Sequence, residues 1–172
     1  MHRLVQFHAI NRPPVFVSGS AVNCPETGNL SDLLRVLCAI LAEHTSTPES
    51  CCFCLWEGHG WLQDSGAVLR AALRSAPRVH LPNRDYLLFE GPLEAASEFG
   101  WNMPGGGFVP QTPNLFWPED HAWCIASEID LYCTLVAGSN ALSESLIADH
   151  RLEGWRVFAD DSVSWDSDDK NT

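Results

Sequence analysis

Arg78-Val79-His80-Leu81-Pro82-Asn83-Arg84-Asp85-Tyr86-Leu87-Leu88-Phe89-Glu90 is the stretch on which the fold turns. Two short strand-like runs, Arg78 to Leu81 and Tyr86 to Glu90, flank a Pro-Asn-Arg-Asp turn, which is a hairpin signature. A tight turn joins neighbouring strands antiparallel, whereas parallel neighbours need a crossover of about a dozen residues or more. The same close spacing recurs downstream, where His121 to Asp130 and Cys133 to Val136 read as adjacent strands turning near Leu131-Tyr132. Such connections predict an α+β fold: an antiparallel or mixed sheet with helices packed mainly on one face, rather than a doubly wound parallel fold.

Working outward, Cys51 to Trp56 is an apolar run between Pro48 and Gly58 and reads as a buried strand. Val15-Phe16-Val17, just after Pro13-Pro14, reads as a short edge strand. Between these, Leu30, Leu33, Leu34, Leu37, Cys38 and Leu41 recur at helical spacing, predicting a helix over Asn29 to His44. Ser65 to Ser75 forms a shorter amphipathic helix carrying Arg70 and Arg74, and Leu93 to Phe99 one or two helical turns. Ser139 caps a helix running to Asp149, with Leu142, Leu146 and Ile147 as its apolar side. Asn102 to Pro113, with three glycines and three prolines, is the longest clear loop. The expected organisation is one domain over residues 1–159, followed by an acidic, disordered tail over 160–172.

Composition narrows the function classes. Hydrophobic residues make up 45% and charged residues 19% of the 172, a globular balance without a membrane-length apolar run. Met1-His2-Arg3-Leu4-Val5-Gln6 carries a charge but no apolar region follows, so a secretory leader is not expected. The seven cysteines are odd in number and sit mostly in apolar runs, as buried thiols of a reducing cytoplasm do. Net charge is −12, and no Lys or Arg falls between Arg84 and Arg151. Such a field repels nucleic acid, whose binding rests on phosphate neutralisation, and attracts a basic partner. The Arg70 to Arg84 cluster leaves room for docking onto a second copy, so a homo-oligomer is compatible with the sequence.

Three places carry candidate chemistry. Cys51 and Cys54 have CxxC spacing, but alternate strand residues point to opposite faces, so the pair cannot chelate one metal. No metal or other cofactor is expected. Glu57-Gly58-His59-Gly60-Trp61 sets a histidine between two glycines, with Trp56 and Trp61 as walls on either side. Pro113 to Trp123 is the densest block: Trp117-Pro118 fixes an extended aromatic, and Asp120 stands beside His121. In the strand expected next, Glu128 and Asp130 share a face about 7 Å apart, where paired carboxylates divide acid and base roles. Each also has a plain structural reading, as a turn, a solvated strand end or a core thiol. No phosphate-cradling loop with a Lys, no GxSxG, no HExxH and no GxGxxG occurs.

From Thr112-Pro113-Asn114-Leu115-Phe116-Trp117-Pro118-Glu119-Asp120-His121-Ala122-Trp123-Cys124-Ile125-Ala126-Ser127-Glu128-Ile129-Asp130 the chain resembles a bacterial family of uncharacterised proteins. The family pattern runs approximately SPNLWWPADRAWCVATEID, then TYVGGS, then a helix closing on Leu-Glu. The later parts are matched by Thr134-Leu135-Val136-Ala137-Gly138-Ser139 and by Arg151-Leu152-Glu153. Cys52 to Trp61 and Tyr86 to Leu93 are similar to it as well, so the resemblance covers residues 30 to 153. It implies no activity, and it implies that the aromatic-acidic block belongs to the fold's common equipment. His121 departs from the arginine usual there, which would make an Asp–Arg pairing weaker or pH-dependent.

The sequence therefore favours a non-enzymatic protein-binding domain, of the immunity or antitoxin-like inhibitor kind. Its acidic aromatic face would comprise Trp56, His59, Trp61, Trp117, Glu119, Asp120, His121 and Glu128. The alternative is a small hydrolase or transferase using His59 or His121 with Glu128, Asp130 or Asp120 in an aromatic pocket. A structural subunit with a tryptophan-rich apolar patch is a third reading.

Overall fold

Every position of Cys51–Trp56 is apolar because this strand lies inside a sheet, with neighbours on both sides. The structure, a computed structural model, describes residues 14–18, 30–63, 67–103, 105–129 and 133–157, with the backbone only at 14–18, 30, 31, 63 and 67–70. Along the chain these form β1 (Pro14–Ser18), α1 (Leu30–Ala42), β2 (Cys51–Trp56), α2 (Gly60–Gln63), α3 (Ala67–Ser75), β3 (Arg78–Leu81) and β4 (Arg84–Gly91). A 3-10 helix (Leu93–Glu98) follows, then β5 (Gly100–Asn102), β6 (Phe108–Pro110), β7 (Leu115–Pro118), β8 (Cys124–Ala126), β9 (Thr134–Ala137), α4 (Asn140–Ala148) and β10 (Glu153–Arg156). Eight strands make one sheet in the order β10-β1-β9-β8-β7-β2-β4-β3, and β5 pairs with β6 as a separate two-stranded hairpin. All these pairings are antiparallel, and the fold class is α+β.

The hairpin that decided the class is tighter than its sequence suggests. Leu81 already pairs with Arg84, and His80 with Asp85, so only Pro82 and Asn83 connect the strands. Asn83 takes a positive φ of 70°, a conformation Asn tolerates better than most residues. Four further readings are corrected. β1 is not an edge strand: it lies between β10 and β9. The strand expected from His121 to Asp130 is only Cys124–Ala126, because Glu119 to Trp123 are spent on a turn in which His121 has a φ of 54°. The loop expected from Asn102 to Pro113 contains β6 and the end of β5. Gly60 and Trp61, read as turn, open α2. The turn near Leu131-Tyr132, Asp130 and the tail over 160–172 lie outside the described residues.

Helices cover one face of the sheet. Leu34, Leu37, Ile40 and Leu41 of α1 and Leu142 and Leu146 of α4 pack with Phe53, Phe116, Ile125 and Val136. The 3-10 helix adds Leu93 and Ala96 to this core, and Leu62 of α2 packs with Leu55 and Leu87 at its margin. Ser139 caps α4 as expected, its side chain accepting from the Leu142 N–H at 3.1 Å. Trp123 is fully buried beneath α1 and donates its indole N–H to the Leu41 carbonyl at 3.0 Å. That bond ties the helical layer to the β7–β8 connection.

The register sends the other half of the strand residues to the opposite face. Cys54 stands beside Leu88 and Leu115, Trp56 beside Tyr86, and Leu115 beside Ala126. Among the described residues no helix packs there. No described helix is long and apolar enough to cross a membrane.

Phe53 touches both Phe99 and Phe116 and is 1% exposed. Replacement Phe53→Ala is therefore expected to cost about 3–5 kcal/mol. A shifted urea midpoint with an unchanged slope would show it; a loss under about 1 kcal/mol would mean that the helical layer is not seated on β2.

Candidate functional site

Asn114 is the hinge of the site. It is fully buried, just before β7, and its polar atoms are matched one by one. Its side-chain carbonyl accepts the Trp56 N–H at 2.8 Å and faces His59 Nε2 at 3.3 Å. Its amide donates to the Ser127 carbonyl at 3.2 Å, while its backbone N–H reaches the Cys54 carbonyl and its own carbonyl accepts from Ser127. One side chain thus fixes the end of β2, the turn after it and the exit of β8.

From that hinge the rings form a series. Trp56 and His59 have centroids 5.6 Å apart, His59 and Trp61 are stacked at 6.4 Å, and Trp61 and Trp101 are stacked at 5.8 Å. Gly58 has a steric role in this series, since a Cβ there would overlap the Trp56 indole. The Trp61 indole N–H is buried with no hydrogen-bond partner among the described residues, so ring contact holds that part of the series. Gly100, with a φ of 147°, lets β5 approach the Val109 carbonyl and so brings Trp101 into place.

Glu128 closes the site on the open face of the sheet. It accepts from the Tyr86 hydroxyl at 2.6 Å and pairs with Arg84, whose guanidinium carbon lies 5.3 Å from the Trp56 ring centre. Burial, then the hydrogen bond to Glu128, pushes the Tyr86 phenol up and keeps it a donor. Burial lowers the His59 pKa below its ordinary 6.5, and the Asn114 bond and the Glu128 charge oppose that without reversing it. The site therefore holds a neutral imidazole beside a carboxylate that already has two partners.

The structure brings together Trp56, His59, Trp61 and Glu128, and sets Glu119, Asp120 and His121 apart. The latter three follow the far end of β7, roughly 10 Å of strand away at 3.3 Å per residue. Asp120 works there as a loop clamp: its carboxylate accepts from the Thr45 hydroxyl at 2.8 Å and from the Ser46 N–H at 2.7 Å. Burial opposes its ionisation, but these bonds and one from the Ala122 N–H outweigh it and hold its pKa low. His121 is exposed. Glu119, Asp120 and Glu128 thus stand at the two ends of β7 rather than in one continuous patch.

Trp117 and Glu119 belong to a second, acidic end. Cys52 pairs with Trp117 on one side and with Glu90 on the other. Burial raises the Cys52 thiol pKa, and the charges of Glu90 and Glu119 raise it further. Glu94, Asp120 and Glu49 act likewise on Cys51, pushed up to about 11 mainly by burial. Cys54 is pushed up to about 12, again mainly by burial, and these thiols stay protonated at neutral pH. The residues the sequence did not single out are Asn114, Tyr86, Glu90 and Trp101, and Arg84 stood out there only as part of the Arg70 to Arg84 cluster. Hydrogen bonds, ring contacts and the strand register together show that they meet the others.

Asn114→Ala is expected to leave the Trp56 N–H and the Ser127 carbonyl unpaired, at about 1–3 kcal/mol for each buried group. Chemical denaturation measures the loss; a loss below about 1 kcal/mol would remove Asn114 as the hinge. His59 also sets a pH dependence. Its folded pKa is depressed, so the unfolded chain binds the proton more tightly, and this contribution to stability is lost as pH falls through about 6.5. His59→Gln should flatten that slope, and an unchanged slope would contradict the assignment. A scan against family models and searches of curated proteins and of solved structures match nothing to this chain.

Proposed function

We propose that this chain is a non-enzymatic protein-binding domain that presents the helix-free face of its sheet to a basic partner, as an immunity or antitoxin-like inhibitor would. The observation that carries this is the composition of that face. An antiparallel sheet with one solvated side normally alternates apolar with polar residues. Here the outward set is Cys54, Tyr86 and Leu115, with Trp56, Val79, Leu81, Leu88, Trp117 and Ala126 packed around them and only partly buried. Cys54, Tyr86 and Leu115 are buried beneath this shell, so the half-buried rim, Trp56 and Trp117 above all, is the apolar part that a partner would reach.

Charge supports the choice of partner. Glu90 and Glu119 rim the face at one end and are exposed, as are nearby Glu49, Glu94 and Asp120. At the other end Arg84 is paired with Glu128, so it adds little positive charge to the rim. With a net charge of −12, the field accelerates encounter with a cation-rich surface and disfavours a second copy of the same chain. The reading carries a cytoplasmic setting, where the cysteines remain thiols.

The alternative, a hydrolase or transferase, draws on neutral His59 lying near Glu128. Against it, His59 Nε2 is engaged by Asn114 and Glu128 by Tyr86 and Arg84. No nucleophile is positioned between them among the described contacts.

Affinity capture from the protein's own cells, at low and high salt, tests the proposal. A single basic protein should be recovered at low salt, lost at high salt, and lost with Trp117→Ala. Recovery of the chain without a partner under both conditions would overturn it.

A further inference from the structure

The open face carries two stations built from a tryptophan and a carboxylate, and one already holds a cation. At the first, Arg84 lies over Trp56 with its guanidinium carbon 5.3 Å from the ring centre, and pairs with Glu128. At the second, Trp117 pairs with Cys52, and Cys52 pairs with Glu90 on its other side. Trp117, Cys52 and Glu90 therefore lie in one row across three strands, with neighbouring strands about 4.8 Å apart. Glu119 follows two residues after Trp117, and its charge and that of Glu90 both act on the Cys52 thiol between them. Glu90 and Glu119 are exposed, and among the described residues neither forms an ion pair with an Arg or Lys.

We infer that Trp117, Glu90 and Glu119 form a seat for a guanidinium group, an arginine side chain of the partner, repeating what Arg84 does on Trp56 and Glu128. This rests on the open face being the partner surface, and it names the contact made there. The chemistry favours arginine over lysine. A guanidinium is planar, stacks on an indole and presents a fork of donors to carboxylates, whereas an ammonium is a compact and strongly hydrated point charge. The carboxylates supply charge-assisted hydrogen bonds, and the indole removes one face of the guanidinium from water at little cost.

The test uses the full chain, its tryptophans labelled with nitrogen-15, titrated with an N-acetyl-triarginine amide peptide. The Trp117 indole resonance is identified with Trp117→Phe, and the buried Trp123 resonance reports that each variant is folded. Saturable shifts at Trp117 are expected, with weaker binding of the matching trilysine peptide. Glu90→Gln with Glu119→Gln should weaken triarginine binding by about tenfold or more, the scale of losing a charge-assisted pair. Glu144→Gln on α4 with Glu153→Gln on β10, the same change in net charge away from this row, should leave it nearly unaltered. Equal weakening by the two double variants, or no saturable shift at Trp117, would overturn the seat. The partner reading fails separately. Triarginine binding at Trp117 without capture of a basic protein would keep the seat and sink that reading. Capture that survives Glu90→Gln with Glu119→Gln would keep the reading and sink the seat.

Discussion

β2 must point its side chains to two faces because it has an antiparallel neighbour on each edge, and both of its faces are apolar. Cys51, Phe53 and Leu55 go to the helical side; Cys52, Cys54 and Trp56 go to the other. That constraint organises the molecule. The first set is covered by α1, α4 and the 3-10 helix, which supply the large buried side chains of the core. The second set meets no helix among the described residues, and its neighbours Tyr86 and Leu88 on β4 and Leu115 and Trp117 on β7 extend the same character over four further positions. A sheet face of this composition gains roughly 25 cal/mol for every Å² of apolar area that a partner removes from water.

The two ends of this face differ in electrostatics, and the strand register is the cause. At the Asn114 end, charges are matched inside the chain: Arg84 with Glu128, and Arg78 with Glu57. At the Pro118 end, Glu90 and Glu119 have no such match among the described residues, and Asp120 is fixed to the loop before β2. On the proposed reading, an apolar centre with one neutralised end and one acidic end would set the direction in which a basic partner docks. In such a complex the rim charge would act on encounter, and the aromatic centre on how long the complex lasts.

Much of the fold was legible because its signals are local. The Arg78 to Glu90 hairpin, the leucine spacing of α1 and the Ser139 cap depend on neighbours within a few residues, and each appears where the sequence put it. The misreadings share a different cause. β1 sits inside the sheet because β9 and β10, well over a hundred residues later, flank it, and no local pattern shows such a pairing. β8 stops short because the turn before it is fixed by Asp120 binding Thr45 and Ser46, again a contact remote in sequence. For the site, the aromatic residues were visible as types, but their division between two ends of β7 was not. Asn114 was passed over inside Pro113-Asn114-Leu115-Phe116-Trp117-Pro118, since a buried asparagine reads like any other until its partners are known.

Trp117 is half-buried on the helix-free side of the sheet, whereas Trp123 is fully buried on the helical side. Oxidative footprinting of the intact chain, read at single tryptophans, measures that difference directly. Trp117 should be modified much faster than Trp123, which lies fully buried under α1. Equal protection of the two rings would mean that this face is already covered within the chain, and would contradict the account.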